Sequence, residues 1–126
     1  MQAITPYLNF NGNGAEALKF YAVALEGKIV HSQTFGESGM AVAEEGENRI
    51  MHALFEADKL QFMISDCQPG KEVSSGDQVH LSLNFDSLDL INTCYPIIIF
   101  PHFFIMPYSL DTFKSFKFYF IQNIFS

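Results

Sequence analysis

The chain has 126 residues, 48% of them hydrophobic and 17% charged, a globular balance that fits one domain with a real core. Its formal net charge of −7 leaves no basic patch to neutralise phosphates, which argues against nucleic-acid binding. The opening Met1-Gln2-Ala3-Ile4-Thr5-Pro6 lacks a basic n-region and a long apolar core, so the expected compartment is the cytoplasm.

From the N-terminus, Ile4 to Phe10 reads as a short strand, with Pro6 near its start, where a missing N–H is tolerated. Asn9-Phe10-Asn11-Gly12-Asn13-Gly14 then reverses the chain, because Gly and Asn tolerate positive φ. Asn13 is placed to cap the following helix with its side-chain oxygen. That helix carries Ala17, Phe20, Tyr21, Ala24 and Leu25 as one apolar stripe. Glu16 sits in its first turn, and Gly27 falls where a helix-ending glycine belongs. Gly12 and Gly14 give only GxG, without the third glycine or the GK[ST] that a phosphate loop needs.

Lys28 to Phe35 reads as the second strand, β-branched and partly alternating. The Gly- and Glu-rich stretch from Gly36 to Asn48 reads as a solvated loop, with a lid over a pocket as the sharper alternative. Arg49 to Glu56 is a third strand, Ala57-Asp58-Lys59 a tight reversal, and Leu60 to Asp66 a fourth strand. In that fourth strand Leu60, Phe62 and Ile64 point one way, and Gln61, Met63 and Ser65 the other. After a polar loop from Cys67 to Gln78, Val79 to Phe85 alternates cleanly. Val79, Leu81, Leu83 and Phe85 form its apolar face, and His80, Ser82 and Asn84 its polar one. Cys67 and Cys94 form no CxxC and are expected as free thiols.

Several segments together carry a family resemblance. They are Pro6-Tyr7-Leu8-Asn9-Phe10-Asn11-Gly12, Ala17-Leu18-Lys19-Phe20-Tyr21, Ile50-Met51-His52-Ala53, Met63-Ile64-Ser65-Asp66 and Leu81-Ser82-Leu83-Asn84-Phe85. In this order and spacing, over roughly residues 3–90, the chain resembles the PhnB-like branch of the vicinal oxygen chelate superfamily. That superfamily includes glyoxalase I, the bleomycin-resistance proteins and extradiol dioxygenases. The branch is often described as similar to 3-demethylubiquinone methyltransferase, a name resting on similarity rather than demonstrated chemistry. The resemblance implies an α+β fold of the glyoxalase/bleomycin-resistance type, two βαβββ modules around a cleft, and a homodimer. The single domain 1–126 would then divide into a first module at 1–67 and a divergent second module at 78–126.

The tail departs from that pattern. Residues 94–126 hold no glycine, and Pro96 would interrupt the helix that the family continues there. Met106-Pro107, Asp111-Thr112-Phe113 and Lys117-Phe118 resemble family fragments without their tryptophan and glycine, as a natural divergence or a local change of reading frame would leave them. Its apolar run of about a dozen residues contains two prolines and falls short of the ~20 residues a membrane span needs. So apolar a tail must be buried, paired with another chain, or prone to aggregate.

The metal-dependent members of the superfamily hold a divalent ion with side chains from strands one, four, five and eight. In this sequence the first of those positions falls at Pro6, which cannot bind metal. The fourth strand offers Met63 or Ser65, with Asp66 at its end, the fifth offers His80, and the last acid is Asp111. A catalytic zinc site normally needs three protein ligands, so no metal or other cofactor is expected, His80 remaining as the candidate ligand. His52 reads either as a histidine satisfied by its neighbours or as a cleft-lining hydrogen-bonding group or base. His52, Ser65, His80, Ser82 and Asn84 are the candidate cleft residues. His31 and His102 have no motif around them, and Cys67 beside Asp66 is a poor nucleophile.

The expected function is binding of a small molecule in the cleft of the fold. The alternatives are a metal-dependent lyase, isomerase or dioxygenase, and a drug-sequestering resistance protein whose acidic surface steers cationic ligands. No nucleic-acid or membrane partner is expected.

Overall fold

A computed structural model describes residues 3–74, 81–84, 87, 89 and 115–118. The chain divides into two compact units, Met1–Ser74 and Ser75–Ser126.

In the first unit the elements run β1 (Tyr7–Phe10), α1 (Gly14–Ala24), β2 (Lys28–Thr34), a single 3-10 turn (Glu44–Gly46), β3 (Ile50–Ala57) and β4 (Leu60–Asp66). The sheet is mixed, in the order β1-β4-β3-β2. β1 pairs parallel with β4, while β4–β3 and β3–β2 are antiparallel. A parallel neighbour needs a crossover, and α1 with the two strands after it supplies that length of chain.

One face of the sheet is closed by α1. Phe10, Ala17, Leu18, Ile50, Ala53, Phe55, Phe62 and Ile64 form the buried cluster. Phe55 and Phe62 face each other across β3–β4 and stack at 4.6 Å, and Tyr21 meets Phe62 edge-on at 5.2 Å. The helix stripe is therefore rotated from the expected one. Leu18 is fully buried, whereas Phe20 is only half-buried and lies outside the core. Turning α1 this way sets Ala17, Leu18 and Tyr21, rather than Phe20, over the paired phenylalanines.

Both ends of α1 differ from the expectation. Asn13 stands at the N-cap, but its φ of −108° and ψ of 18° are not those of a capping residue, and its side chain caps nothing. The cap comes from 52 residues away. The Asp66 carboxylate accepts from Gly12 N and Gly14 N through Oδ1, both at 2.9 Å, and from Ile50 N through Oδ2 at 2.8 Å. Any Cβ at Gly14 would come within 3.0 Å of that carboxylate, so the glycine makes room for it. Gly12 has the positive φ, +100°, that the turn predicts.

At the other end the left-handed residue is Glu26, at φ 49°, not Gly27. Gly27 N donates to Ala22 O and Glu26 N to Val23 O, the two bonds of a Schellman motif. Gly27 is required for a different reason. A Cβ there would strike the Phe55 ring and come within 2.7 Å of the Glu56 carbonyl.

The first strand is shorter than expected. Its pairing starts at Tyr7, and Ile4 is 95% exposed. β2 and β3 fall within a residue of the expected strands, and β4 coincides with the expected one. The Glu-rich segment between β2 and β3 is solvated, with Glu37, Glu44, Glu45 and Glu47 all exposed. After β4, residues 67–74 are fastened to the first turn. Asn11 accepts from Val73 N at 2.7 Å and donates to Val73 O at 3.1 Å, while Arg49 donates to the Cys67 carbonyl at 3.1 Å.

The second unit contains an antiparallel pair, β5 (Leu81–Asn84) and β6 (Ser115–Phe118), with Leu81 opposite Phe118 and Asn84 opposite Ser115. Lys117 and Phe118 of the tail thus belong to a strand. Among the described residues no helix is long and apolar enough to cross a membrane.

Candidate functional site

With α1 covering one face of the first sheet, the other face is where unlike side chains gather. Strand pairing fixes its membership, since paired residues share a face. Tyr7 lies beside Met63, Met63 beside Leu54, and Leu54 beside His31, one residue from each of the four strands. In the next rung Asn9 stands opposite Ser65 and His52 opposite Gln33. Lys28, Glu56 and Gln61 close the far end. Lys28 Nζ lies 3.7 Å from Glu56, and Gln61 donates to it at 2.9 Å. That exposed ion pair contributes little stability, but it keeps Glu56 engaged.

Three rings line up across this face. The Tyr7 hydroxyl lies 3.3 Å from His52 Nδ1, with ring centroids 5.9 Å apart, and His52 and His31 rings are 6.3 Å apart. Tyr7 is 46% exposed, and His31 is also open to solvent, while His52, Leu54, Met63 and Ser65 are half-buried. A surface of this kind offers stacking, thioether and aliphatic contacts together with hydrogen-bonding groups of both senses.

Of the candidate residues, the structure puts His52 and Ser65 on this one face. Ser65 Oγ is turned to the Asp66 carbonyl at 3.0 Å. Ser82 and Asn84 lie on β5, at positions paired with Lys117 and Ser115. His80 lies outside the described residues, as do His102 and Cys94. Sequence reasoning missed Tyr7 and His31. His31 was hidden by a β-bulge. Regular pairing from Ile29–Phe55 would set His31 against Ala53 on the helix side, but the register slips at Val30 and His31 joins Leu54 on the open face. A second slip, at Met51, lets both Ile50 and Ala53 be buried although they are three residues apart.

Pro6 and Asp66, two of the positions weighed as metal ligands, are taken up by the fold itself. Pro6 supplies only a carbonyl, which accepts from Met63 N at 2.9 Å. Asp66 is 2% exposed, and both of its oxygens are engaged by backbone N–H groups under the helix. Among the described residues no three His, Cys, Asp or Glu side chains converge as a metal-ion set. Cys67 is a free thiol whose Sγ donates to the Lys71 carbonyl at 2.9 Å and lies 3.5 Å from the Arg49 guanidinium. An open groove of about 520 Å³ beside residues 3–6 and the β3–β4 turn, lined by Glu56, Asp58, Lys59, Leu60 and Gln61, brings in no aromatic ring.

No protein-family model matches the sequence, and no curated protein matches it. Solved structures do. The protein PA1353 from Pseudomonas aeruginosa superposes with a TM-score of 0.72 at 28% identity, over 86% of this chain and 82% of that one. A PhnB protein from Bacillus cereus, described as a candidate 3-demethylubiquinone-9 3-methyltransferase, superposes with a TM-score of 0.60 at 22% identity, over 77% of this chain and 73% of that one. The fold is PhnB-like. The one helix and mixed four-stranded sheet of the first unit are the part of that fold that builds the open face.

Proposed function

We propose that the chain is a small-molecule-binding protein of the glyoxalase/bleomycin-resistance type, and that its ligand lies against the open sheet face at Tyr7, His52 and Ser65. The observation that carries this reading is the row of rings from Tyr7 through His52 to His31, backed by Leu54 and Met63 and left uncovered by the helix. Folded chains put such mixed aromatic and polar surfaces where they recognise something, since a bare structural face needs neither the rings nor their hydrogen bonds. Working as a homodimer in the cytoplasm belongs to the same reading. So do roles for His80, Ser82 and Asn84 in the cleft and the division into modules at 1–67 and 78–126. The metal-dependent enzyme draws no support from the described residues, because Pro6 and Asp66 are lost as ligands.

The test is a screen of planar and amphipathic compounds by amide and side-chain NMR shifts on the full chain. A binder should move the resonances of Tyr7, His52, Met63 and Ser65 together. Tyr7→Phe or His52→Ala should weaken it about fivefold, the value of one net hydrogen bond near 1 kcal/mol. Compounds that bind with full affinity to both variants would place the site elsewhere.

A further inference from the structure

His31 of β2 and His52 of β3 are the two histidines of the first unit, and the bulge at Val30 brings them onto one face with ring centroids 6.3 Å apart. Neither strand is one from which the superfamily draws its metal ligands. From these two rings we infer that His31 and His52 together chelate a divalent transition-metal ion of the copper(II), nickel(II) or zinc(II) class, with Tyr7 orienting His52.

The geometry is close to what a chelate requires. Two imidazoles on one tetrahedral ion, each with a metal–nitrogen bond of about 2 Å, have ring centres about 5 Å apart. The rings must therefore close by about 1 Å. His31 is exposed and turns about its side-chain bonds without disturbing the core. Tyr7 Oη engages Nδ1 of His52 at 3.3 Å and leaves Nε2 for the ion. A hydrogen bond to the second ring nitrogen is how proteins fix the orientation of a ligating histidine. Imidazole donors select copper, nickel and zinc over magnesium and calcium.

The charge distribution favours a cation. The chain carries a net charge of −7. The loop that leaves the sheet just beyond Gln33 and His52 presents exposed Glu37, Glu44, Glu45 and Glu47. Among the described residues, Tyr7 of β1 contacts His52, and Lys28 of β2 and Glu56 of β3 stand further along the same face, engaged with each other. Two protein ligands leave the remaining positions to water or to an oxygen- or nitrogen-bearing molecule, so the ion is exchangeable rather than structural.

The experiment is titration of the untagged full chain with copper(II), nickel(II) and zinc(II) in turn, by calorimetry, with electron paramagnetic resonance for copper. One ion per chain is expected, tightest for copper, with nitrogen coupling in the copper spectrum. His31→Ala and His52→Ala should each weaken binding about a hundredfold by removing the chelate, and Tyr7→Phe about tenfold. Circular dichroism matching the parent confirms that the variants fold, and His31→Gln serves where His31→Ala does not. The inference is overturned if no ion binds, if both histidine variants bind as the parent does, or if His80→Ala abolishes binding while they retain it.

Discussion

Asp66 ties together three separate parts of the first unit. It joins the end of β4 to the turn before α1 and to the start of β3, through three backbone N–H groups, of which those of Gly14 and Ile50 are buried and would otherwise have no partner. Asp66→Asn keeps the shape but places an amide N–H₂ against a donor. The expected loss is roughly 3 kcal/mol in denaturant unfolding, the scale for breaking buried charged hydrogen bonds. Tyr21 supplies a second residue-scale prediction. Burial beside Phe55 and Phe62 pushes its hydroxyl far above the ordinary phenol value of 10.0. Above that pH the unfolded chain releases this proton while the folded chain keeps it, so the stability present below pH 10 is lost as pH rises. Unfolding measured from pH 8 to 11 should show this alkaline decline in the parent and a flatter curve in Tyr21→Phe. The acid at position 66 was legible only as a strand end, because its partners at Gly12, Gly14 and Ile50 are 16 to 54 residues away.

At the level of elements, the two ends of α1 show how turn chemistry can be read correctly and assigned to the wrong residue. The Glu-Gly pair after Leu25 does contain a helix stop, but Glu26 takes the left-handed conformation and Gly27 makes room for Phe55. Glu26→Gly should therefore stabilise the chain by about 0.5–1 kcal/mol, by relieving the left-handed strain. Gly27→Ala should destabilise it by about 2–3 kcal/mol through overpacking. Thermal unfolding of the two variants should move in opposite directions, and equal shifts would show that the two roles are misassigned. Periodicity gave β4 fully and β2 and β3 to within a residue, since alternation and the polar breaks are local properties. It could not give the bulges at Val30 and Met51, which depend on which partner residues the neighbouring strand offers.

For the whole molecule, among the described residues the hydrophobic cluster lies in the first unit, which also contains the four strands of its sheet. A fragment of residues 1–74 is expected to show dispersed amide resonances and a cooperative thermal transition, at low stability given its size. An unfolded fragment would show that the second unit is needed to complete the core. Both the candidate face and the histidine pair should survive in a folded fragment.

The sequence by itself determined the α+β class, the order of elements through the fourth strand and the amphipathic character of α1. These follow from period-2 and period-3.6 patterns and from turn residues, all of them short-range. It also marked His52 and Ser65 as candidates. Tertiary structure alone decided that α1 presents Leu18 rather than Phe20, that Asp66 rather than Asn13 caps the helix, and that Tyr7 and His31 stand with His52. Each of those outcomes depends on strand register and long-range hydrogen bonding, and a one-residue slip in register moves a side chain to the opposite face of the sheet.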